Sequence, residues 1–117
     1  MPTGLYHREI WMPNSVINLH GVTVALNVTK HAMKAASEDR YGLIKIPSHI
    51  TFNGSDVIEA EEVMGAIVKL VIRLPYDSER DAVYVVTSDR TLKTVWSNLK
   101  SDTHTTLRRH LHLPKPK

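Results

Sequence analysis

Apolar and polar residues alternate with a period of two in the second half of the chain. Four segments show this pattern, at residues 56–61, 66–74, 82–88 and 91–97. Alternation is typical of half-buried strands. The connections between the segments are two to seven residues long, and connections this short join antiparallel neighbours. The pattern therefore predicts an antiparallel meander of about four strands.

Apolar residues recur at helical spacing in residues 29–42, TKHAMKAASEDRYG. Thr29 is a favourable N-cap, and Gly42 suits the left-handed position that follows many helices. Ala32 and Ala36 lie on one side of such a helix, and small residues allow close packing on a sheet. This segment predicts one amphipathic helix ahead of the meander.

The remaining segments carry weaker patterns. Residues 21–26 predict a brief strand, and residues 42–56 predict a connector. Residues 1–20 predict an irregular arm or a short helix, and residues 110–117 a frayed basic tail. We expect a single domain over residues 1–117. Its predicted class is α+β, with an N-terminal helix packed on an antiparallel sheet of about four strands.

Composition excludes several classes of function. Of the 117 residues, 42% are apolar and 23% charged, and no apolar run is long enough to cross a bilayer. The chain has no cysteine, which excludes disulfides, thiolate nucleophiles and cysteine metal sites. His7, Arg8 and Glu9 stand where a signal peptide would be apolar, so we expect a cytoplasmic location.

Charge is unevenly distributed along the chain, which carries +3 overall. The segment from Arg90 to Lys117 contains seven cationic side chains and one acidic residue, Asp102, which gives it +6 and leaves about −3 for the rest. A basic end on a mildly acidic body is typical of proteins that bind a polyanion such as nucleic acid. A solvated tail that maintains solubility is the alternative.

Two cations, Lys69 and Arg73, lie four residues apart on one face of a predicted strand. Their separation of about 13 Å suits contacts with two phosphates along a nucleic acid. The same alternation also places ordinary polar residues on a solvated face, and that alternative stays open.

Polar groups also collect after the last predicted strand, in SDTHTTLRRH, residues 101–110. Cleavage of RNA without a metal needs a base, an acid and groups that stabilise the phosphorane. His104 is the preferred proton carrier, because imidazole titrates near neutral pH. His31, in the first turn of the helix, is a second candidate. The alternative is that Asp102 or Thr103 caps a short final helix.

Other residues are predicted to bind the nucleic acid. Trp96 or Tyr76 can stack on an unpaired base, and Lys93, Arg108 and Arg109 supply charge. A zinc site at His110 and His112 lacks a third ligand at a diagnostic spacing. We therefore expect no metal and no cofactor.

Three segments are similar to those of small, uncharacterised proteins encoded by tailed bacteriophages. The shared features are a "TKHA" helix start, a strand that ends in "YD..RD" and a "KTVW.N..D.H.TL" ending, over about residues 27–109. The layout also resembles the barnase, RelE and colicin group of ribonucleases and toxins. That resemblance implies metal-independent RNA cleavage on an exposed sheet face. The residues to which it assigns roles are His31, Lys69, Arg73, Thr94, Asn98 and His104.

Two hypotheses follow for the function. The first is a phage-type protein directed at nucleic acid, a metal-independent ribonuclease that uses 2′-hydroxyl attack. The alternative is a non-enzymatic phage protein that binds a host protein or nucleic acid through its basic surface. A nuclease must bring His104, Asn98 and either Lys69 or Arg73 within reach of one phosphate group, whereas a binding module need not.

Overall fold

Seven strands and one α-helix make up the part of the chain that the structure, a computed structural model, describes: residues 19–102. The elements in chain order are β1 (Val22–Ala25), β2 (Asn27–Val28), α1 (Lys30–Ser37), β3 (His49–Phe52), a 3-10 turn (Gly54–Asp56), β4 (Val57–Val63), β5 (Ala66–Pro75), β6 (Arg80–Thr87) and β7 (Thr91–Leu99).

The strands form two sheets. The larger has the order β2-β7-β6-β5-β4, and its last four strands are an antiparallel meander. The smaller is a ribbon of β1 and β3, also antiparallel. The α+β class and the meander are therefore confirmed. Residues 1–18 and 103–117, which include most of the predicted arm and all of the predicted tail, lie outside the described residues.

The main core lies between one face of the larger sheet and a layer made of α1 and the ribbon. Ala32 and Ala36 of α1 and Ile50 and Phe52 of β3 contribute to this core. The sheet supplies Leu70, Ile72, Ala82, Tyr84, Val86, Leu92 and Val95. The two alanines let the helix approach β7 closely, as the narrow apolar face predicted.

Two finer predictions about the fold are wrong. The helix is not N-terminal, because β1 and β2 precede it, and the sheet has five strands. The added strand, β2, consists of only two residues and pairs parallel to β7, with Asn27 opposite Thr91. A two-residue strand is too short for alternation to reveal, since its pairing depends on the distant partner alone.

The helix begins as predicted but ends earlier. The Thr29 hydroxyl accepts a hydrogen bond from the Ala32 N–H at 3.0 Å, which confirms the N-cap. The last helical residue is Ser37 rather than a residue near Gly42. Gly42 does adopt a positive φ of 115°, but in a separate turn closed by its N–H and the Asp39 carbonyl.

The predicted connector at residues 42–56 contains a strand, β3. Its Ile50 and Phe52 are buried, whereas His49 and Thr51 are exposed. The alternation was present in the sequence, but Pro47 and the Asn53-Gly54 pair on either side favoured a loop. The strand is stabilised by pairing with β1, including a contact of 2.7 Å between the Thr23 and Thr51 hydroxyls.

Irregularities in register change which face some side chains occupy. Glu61 is opposite Lys69, but the next residue, Glu62, is opposite Ile67. A bulge of this kind reverses the alternation. Ile67 therefore lies in the main core, and not on the face of Lys69 as strict alternation predicts. A second shift, next to Lys93, places Leu92 in the main core together with Val95.

Candidate nucleic-acid interface

Helix α1 runs alongside β7 and is held at both ends by hydrogen bonds. At its start, the Thr29 hydroxyl donates to the Leu92 carbonyl at 3.1 Å. Beyond its end, the Asp39 carboxylate accepts from the Ser97 N–H at 2.9 Å and also from the Ser97 hydroxyl. Ser97 is fully buried, and a charged acceptor on a buried donor makes a strong bond. The two elements are thereby fixed side by side.

A groove of about 600 Å³ lies between the end of α1 and β7. The residues that line this α1–β7 groove are Ala35, Glu38, Asp39, Arg40, Thr94, Val95 and Trp96. The indole of Trp96 is half-buried and packs against a small apolar cluster that includes Val71 and Val83. This cluster lies on the sheet face opposite the main core. Trp96 is thus a lining residue of the groove, and this packing fixes the position of its indole.

Cations flank the α1–β7 groove without carboxylate partners among residues 19–102. Lys93, which directly precedes the groove residues of β7, is exposed, and so is Arg40. The Arg40 guanidinium stacks over the Tyr41 ring, 4.7 Å from its centroid. His31 is exposed on the same side of α1 as Ala35 and Glu38, because residues four and seven positions apart share a helix face. Of the predicted residues, Thr94 and Trp96 line the groove, Lys93 directly precedes them in β7, and His31 shares a helix face with Ala35 and Glu38.

Arg73, by contrast, is held in a network that we call the Arg73 clasp. Its guanidinium donates from Nε to Asp81 at 2.8 Å and from one terminal nitrogen to the Leu99 and Asp102 carbonyls at 3.1 and 2.7 Å. Lys100 completes the clasp with a contact of 2.7 Å to Asp81. Only 13% of the Arg73 side chain is exposed. The clasp fixes the chain where it leaves β7.

The pKa of the Asp81 carboxyl reflects this network. Partial burial raises the pKa, but hydrogen bonds from Lys100 and Arg73 and the attraction of their charges outweigh it and hold the pKa below its usual value. Asp81 is therefore an ionised structural group near neutral pH. Asn98, which is opposite Asp81 in the register, is fully buried beside the clasp.

Lys69 lies apart from Arg73, toward the other end of β5. It is opposite Thr87, whereas Arg73 is opposite Val83. The Lys69 ammonium is 3.3 Å from the Glu61 carboxylate. Both side chains are partly exposed, so the pair contributes little to stability, but the carboxylate reduces the attraction of Lys69 for a phosphate. The two strand cations are thus separated and engaged with different acids.

Tyr76 is an anchor for the loop after α1. Its hydroxyl accepts a hydrogen bond from the Lys45 N–H at 2.7 Å, and the Arg80 guanidinium covers its ring, 4.8 Å from the centroid. Arg80 also donates to the Tyr41 and Gly42 carbonyls at 3.1 and 2.8 Å. A turn contact between Asp77 and Arg80 is present at 3.0 Å. Because Arg80 covers the Tyr76 ring, that ring face is not open to stacking with a base.

The structure leaves several predicted residues untested and adds one that the sequence did not indicate. His104, Arg108 and Arg109 lie outside the described residues. Arg40 was not predicted, because its place beside Trp96 depends on the contact between Asp39 and Ser97, which are 58 residues apart. In residues 19–102, no group of three or more His, Asp or Glu side chains could hold a metal ion. No helix within that range is long and apolar enough to cross a membrane.

Comparison of the chain with protein-family models, curated proteins and solved structures finds no significant match. The resemblance to phage proteins and to the barnase, RelE and colicin group therefore stays a prediction.

Proposed function

We propose that the protein is a non-enzymatic module that binds single-stranded nucleic acid in the α1–β7 groove. The observation that carries the proposal is the position of Trp96 in the wall of an open groove that Lys93 and Arg40 flank. Stacking of a base on an aromatic ring, combined with cations that follow the backbone, is the usual basis of single-strand binding.

The form of the groove favours an unpaired strand. A base can stack on the Trp96 indole only if it is turned out of a duplex. The groove volume of about 600 Å³ lies within the range of roughly 300–1,000 Å³ typical of small-ligand sites. It can therefore accept one nucleotide of a longer strand.

The distribution of charge suggests how the strand lies. Asp39 is engaged by Ser97, so Glu38 is the groove carboxylate that would meet a ligand. An exposed carboxylate repels phosphate and accepts hydrogen bonds from base amino groups. We infer that the base lies near Trp96 and Glu38. The phosphates then lie near Lys93, toward the start of β7.

The contacts of Lys69 and Arg73, the two cations of β5, favour the binding module over the ribonuclease. Arg73 donates three hydrogen bonds to Asp81 and two carbonyls and is only 13% exposed, and Lys69 is paired with Glu61. Both cations are therefore already engaged within the fold, which makes them poor candidates to stabilise a phosphorane. Ribonuclease activity stays a prediction, because His104, its preferred proton carrier, lies outside the described residues.

Tryptophan fluorescence tests the binding. The chain has two tryptophans, Trp11 and Trp96, so the Trp11→Phe variant leaves Trp96 as the single reporter. Titration with a single-stranded RNA, the matching DNA strand and the RNA duplex should give saturable quenching with the single strands only. Affinity should fall with rising salt, because binding releases counterions.

Charge variants show whether the groove is the site. In the Trp11→Phe background, Lys93→Glu should weaken binding about tenfold and reduce the salt dependence by roughly one phosphate contact. Lys45→Glu is the matched control, since Lys45 is exposed and outside the groove. The proposal fails if Trp96 is not quenched or if the two substitutions weaken binding equally.

The same RNA also reports cleavage. Labelled RNA incubated with the protein and EDTA should stay intact if the protein is a binding module. Cleavage that resists the chelator and disappears in His104→Ala would instead establish the ribonuclease, and would overturn the non-enzymatic part of the proposal.

A further inference from the structure

The two outer sides of the larger sheet carry opposite charges. On the β4 side, Glu61 and Glu62 are exposed next to the tip of the β4–β5 hairpin. On the opposite side, α1 lies along β7 and presents Lys30 and Lys34 to solvent. Lys30, Lys34 and Glu62 make no ion pair within residues 19–102, and Glu61 pairs only with Lys69 there.

Each of these charged sides also exposes apolar groups. Val63 is 48% and Met64 98% exposed at the hairpin tip, and Met33 is 53% exposed on α1. Methionine is adaptable and is common at protein-binding surfaces. Each side therefore combines an exposed methionine with neighbouring charges, acidic on the hairpin and basic on the helix.

The backbone conformation of Met64, at the hairpin tip, is energetically unfavourable. Met64 has a positive φ of 52°, and the left-handed region costs a non-glycine residue about 1–2 kcal/mol. Gly65, the next residue, also has a positive φ, of 85°. A large apolar side chain that is both strained and fully exposed gains no stability within residues 19–102, which favours a role in an intermolecular contact.

The basic side of α1 consists of residues that do not line the α1–β7 groove. Ala32 and Ala36 face the core, and helical geometry places Lys30 and Lys34 on the opposite face, with Met33 beside them. The groove is lined by Ala35 and by Glu38, which lies one turn beyond Lys34. We refer to Lys30, Met33 and Lys34 as the outer α1 face, and to Glu61–Met64 as the β4 tip.

We propose that copies of this chain associate head to tail, with the β4 tip of one copy on the outer α1 face of the next. Acidic groups would then meet basic groups, and the exposed methionines would pack together. The contact does not depend on the proposed nucleic-acid binding, because none of its residues lines the α1–β7 groove.

The fold also predicts the symmetry of this association. One surface lies at the β4 edge of the sheet and the other on α1 beside β7, and β4 and β7 are three strand spacings, or about 14 Å, apart. Two copies related by a twofold axis through either surface would bring like charges together, which is unfavourable. A contact between unlike surfaces instead continues from copy to copy and produces a ring or a filament.

Sedimentation velocity over a concentration series tests the proposal. The full chain should show association that increases with concentration and weakens at high salt, because the contact is largely electrostatic. Glu62→Lys and Lys34→Glu should each weaken association at least tenfold, since like charges across an interface are costly. Met64→Ser, which keeps every charge, should weaken it less.

Matched controls and a mixture separate this contact from a general charge effect. Glu79→Lys and Lys45→Glu change the net charge equally at exposed positions outside both surfaces, and they should associate like the unmodified chain. The Glu62→Lys and Lys34→Glu chains, weak alone, should associate when mixed, because each retains one intact surface. A monomer at every concentration, equal losses in the controls or a mixture that stays monomeric would each overturn the proposal.

Discussion

The α1–β7 groove and the Arg73 clasp both involve cationic side chains, but in the part of the chain that the structure describes these are unpaired at the groove and paired with a carboxylate in the clasp. At the groove, the lining residue Arg40 and the neighbouring Lys93 are exposed and have no acidic partner within residues 19–102. In the clasp, Arg73 and Lys100 share the Asp81 carboxylate. A cation with satisfied donors maintains structure, whereas an exposed cation is available to a ligand. The contacts of a cation therefore indicate its role better than its position in a strand.

The largest effect is expected from the loss of the Arg73 side chain, which is the centre of the clasp. Arg73→Ala removes a donor from the Asp102 carbonyl, leaves the Leu99 carbonyl with the Asp102 N–H alone, and deprives Asp81 of one of two cations. Loss of one partner from a largely buried pair should lower the free energy of unfolding by about 3 kcal/mol, as measured by urea denaturation.

Lys69→Ala is the control for that experiment. Its pair with Glu61 is partly exposed, so the loss should be about 0–1 kcal/mol. Nucleic-acid affinity should change little in either folded variant. Equal losses of stability, or a large loss of affinity in Arg73→Ala alone, would contradict the distinction between the clasp and the groove.

A smaller effect is expected at the junction between α1 and β7. Asp39→Asn keeps one acceptor for Ser97 but removes its charge, which should lower the free energy of unfolding by about 1–2 kcal/mol. It should also weaken binding of single-stranded RNA, because the groove wall is no longer fixed. Glu38→Gln is the control in the same groove: stability should not change. Urea denaturation and Trp96 quenching measure the two effects, and full RNA affinity in Asp39→Asn would argue against a pre-formed groove.

The smallest effect concerns pH and again involves the clasp. The folded pKa of Asp81 lies below its ordinary value of 3.8, so its ionised form stabilises the folded state. That contribution is complete above the unfolded pKa and is lost as the pH falls through the folded one. The difference in urea midpoint between the unmodified chain and Asp81→Asn should therefore decrease below about pH 4. A constant difference down to pH 3 would show that Asp81 does not act through its charge.

Much of the fold was predictable because it depends on local periodicity. The four meander strands, the Thr29 cap and the brief strand before the helix were all expected, and all are present. The bulges next to Lys69 and Lys93 were not, since alternation assumes a regular ladder. The same limitation explains β2, whose two residues form a strand only because β7 lies beside them.

The candidate site was predictable in its residue types but not in its arrangement. Trp96, Thr94 and Lys93 were identified from one short stretch; Trp96 and Thr94 line the groove, and Lys93 directly precedes them. The neighbouring Arg40 was missed, and Arg73, which looked equivalent to Lys69, is instead the centre of a structural network. Neither fact can be read from spacing, because both depend on contacts between residues distant in the chain.

Sequence alone determined the class of the fold, the meander and the start of the helix, because turns, caps and alternating side chains act over a few residues. Tertiary structure decided which charges are neutralised, where α1 lies against β7 and which methionines stay exposed. The physical reason is that an ion pair or a groove forms only between groups brought together from separate segments. The hydrogen bonds between Asp39 and Ser97 and between Arg73 and Asp102 are two such contacts.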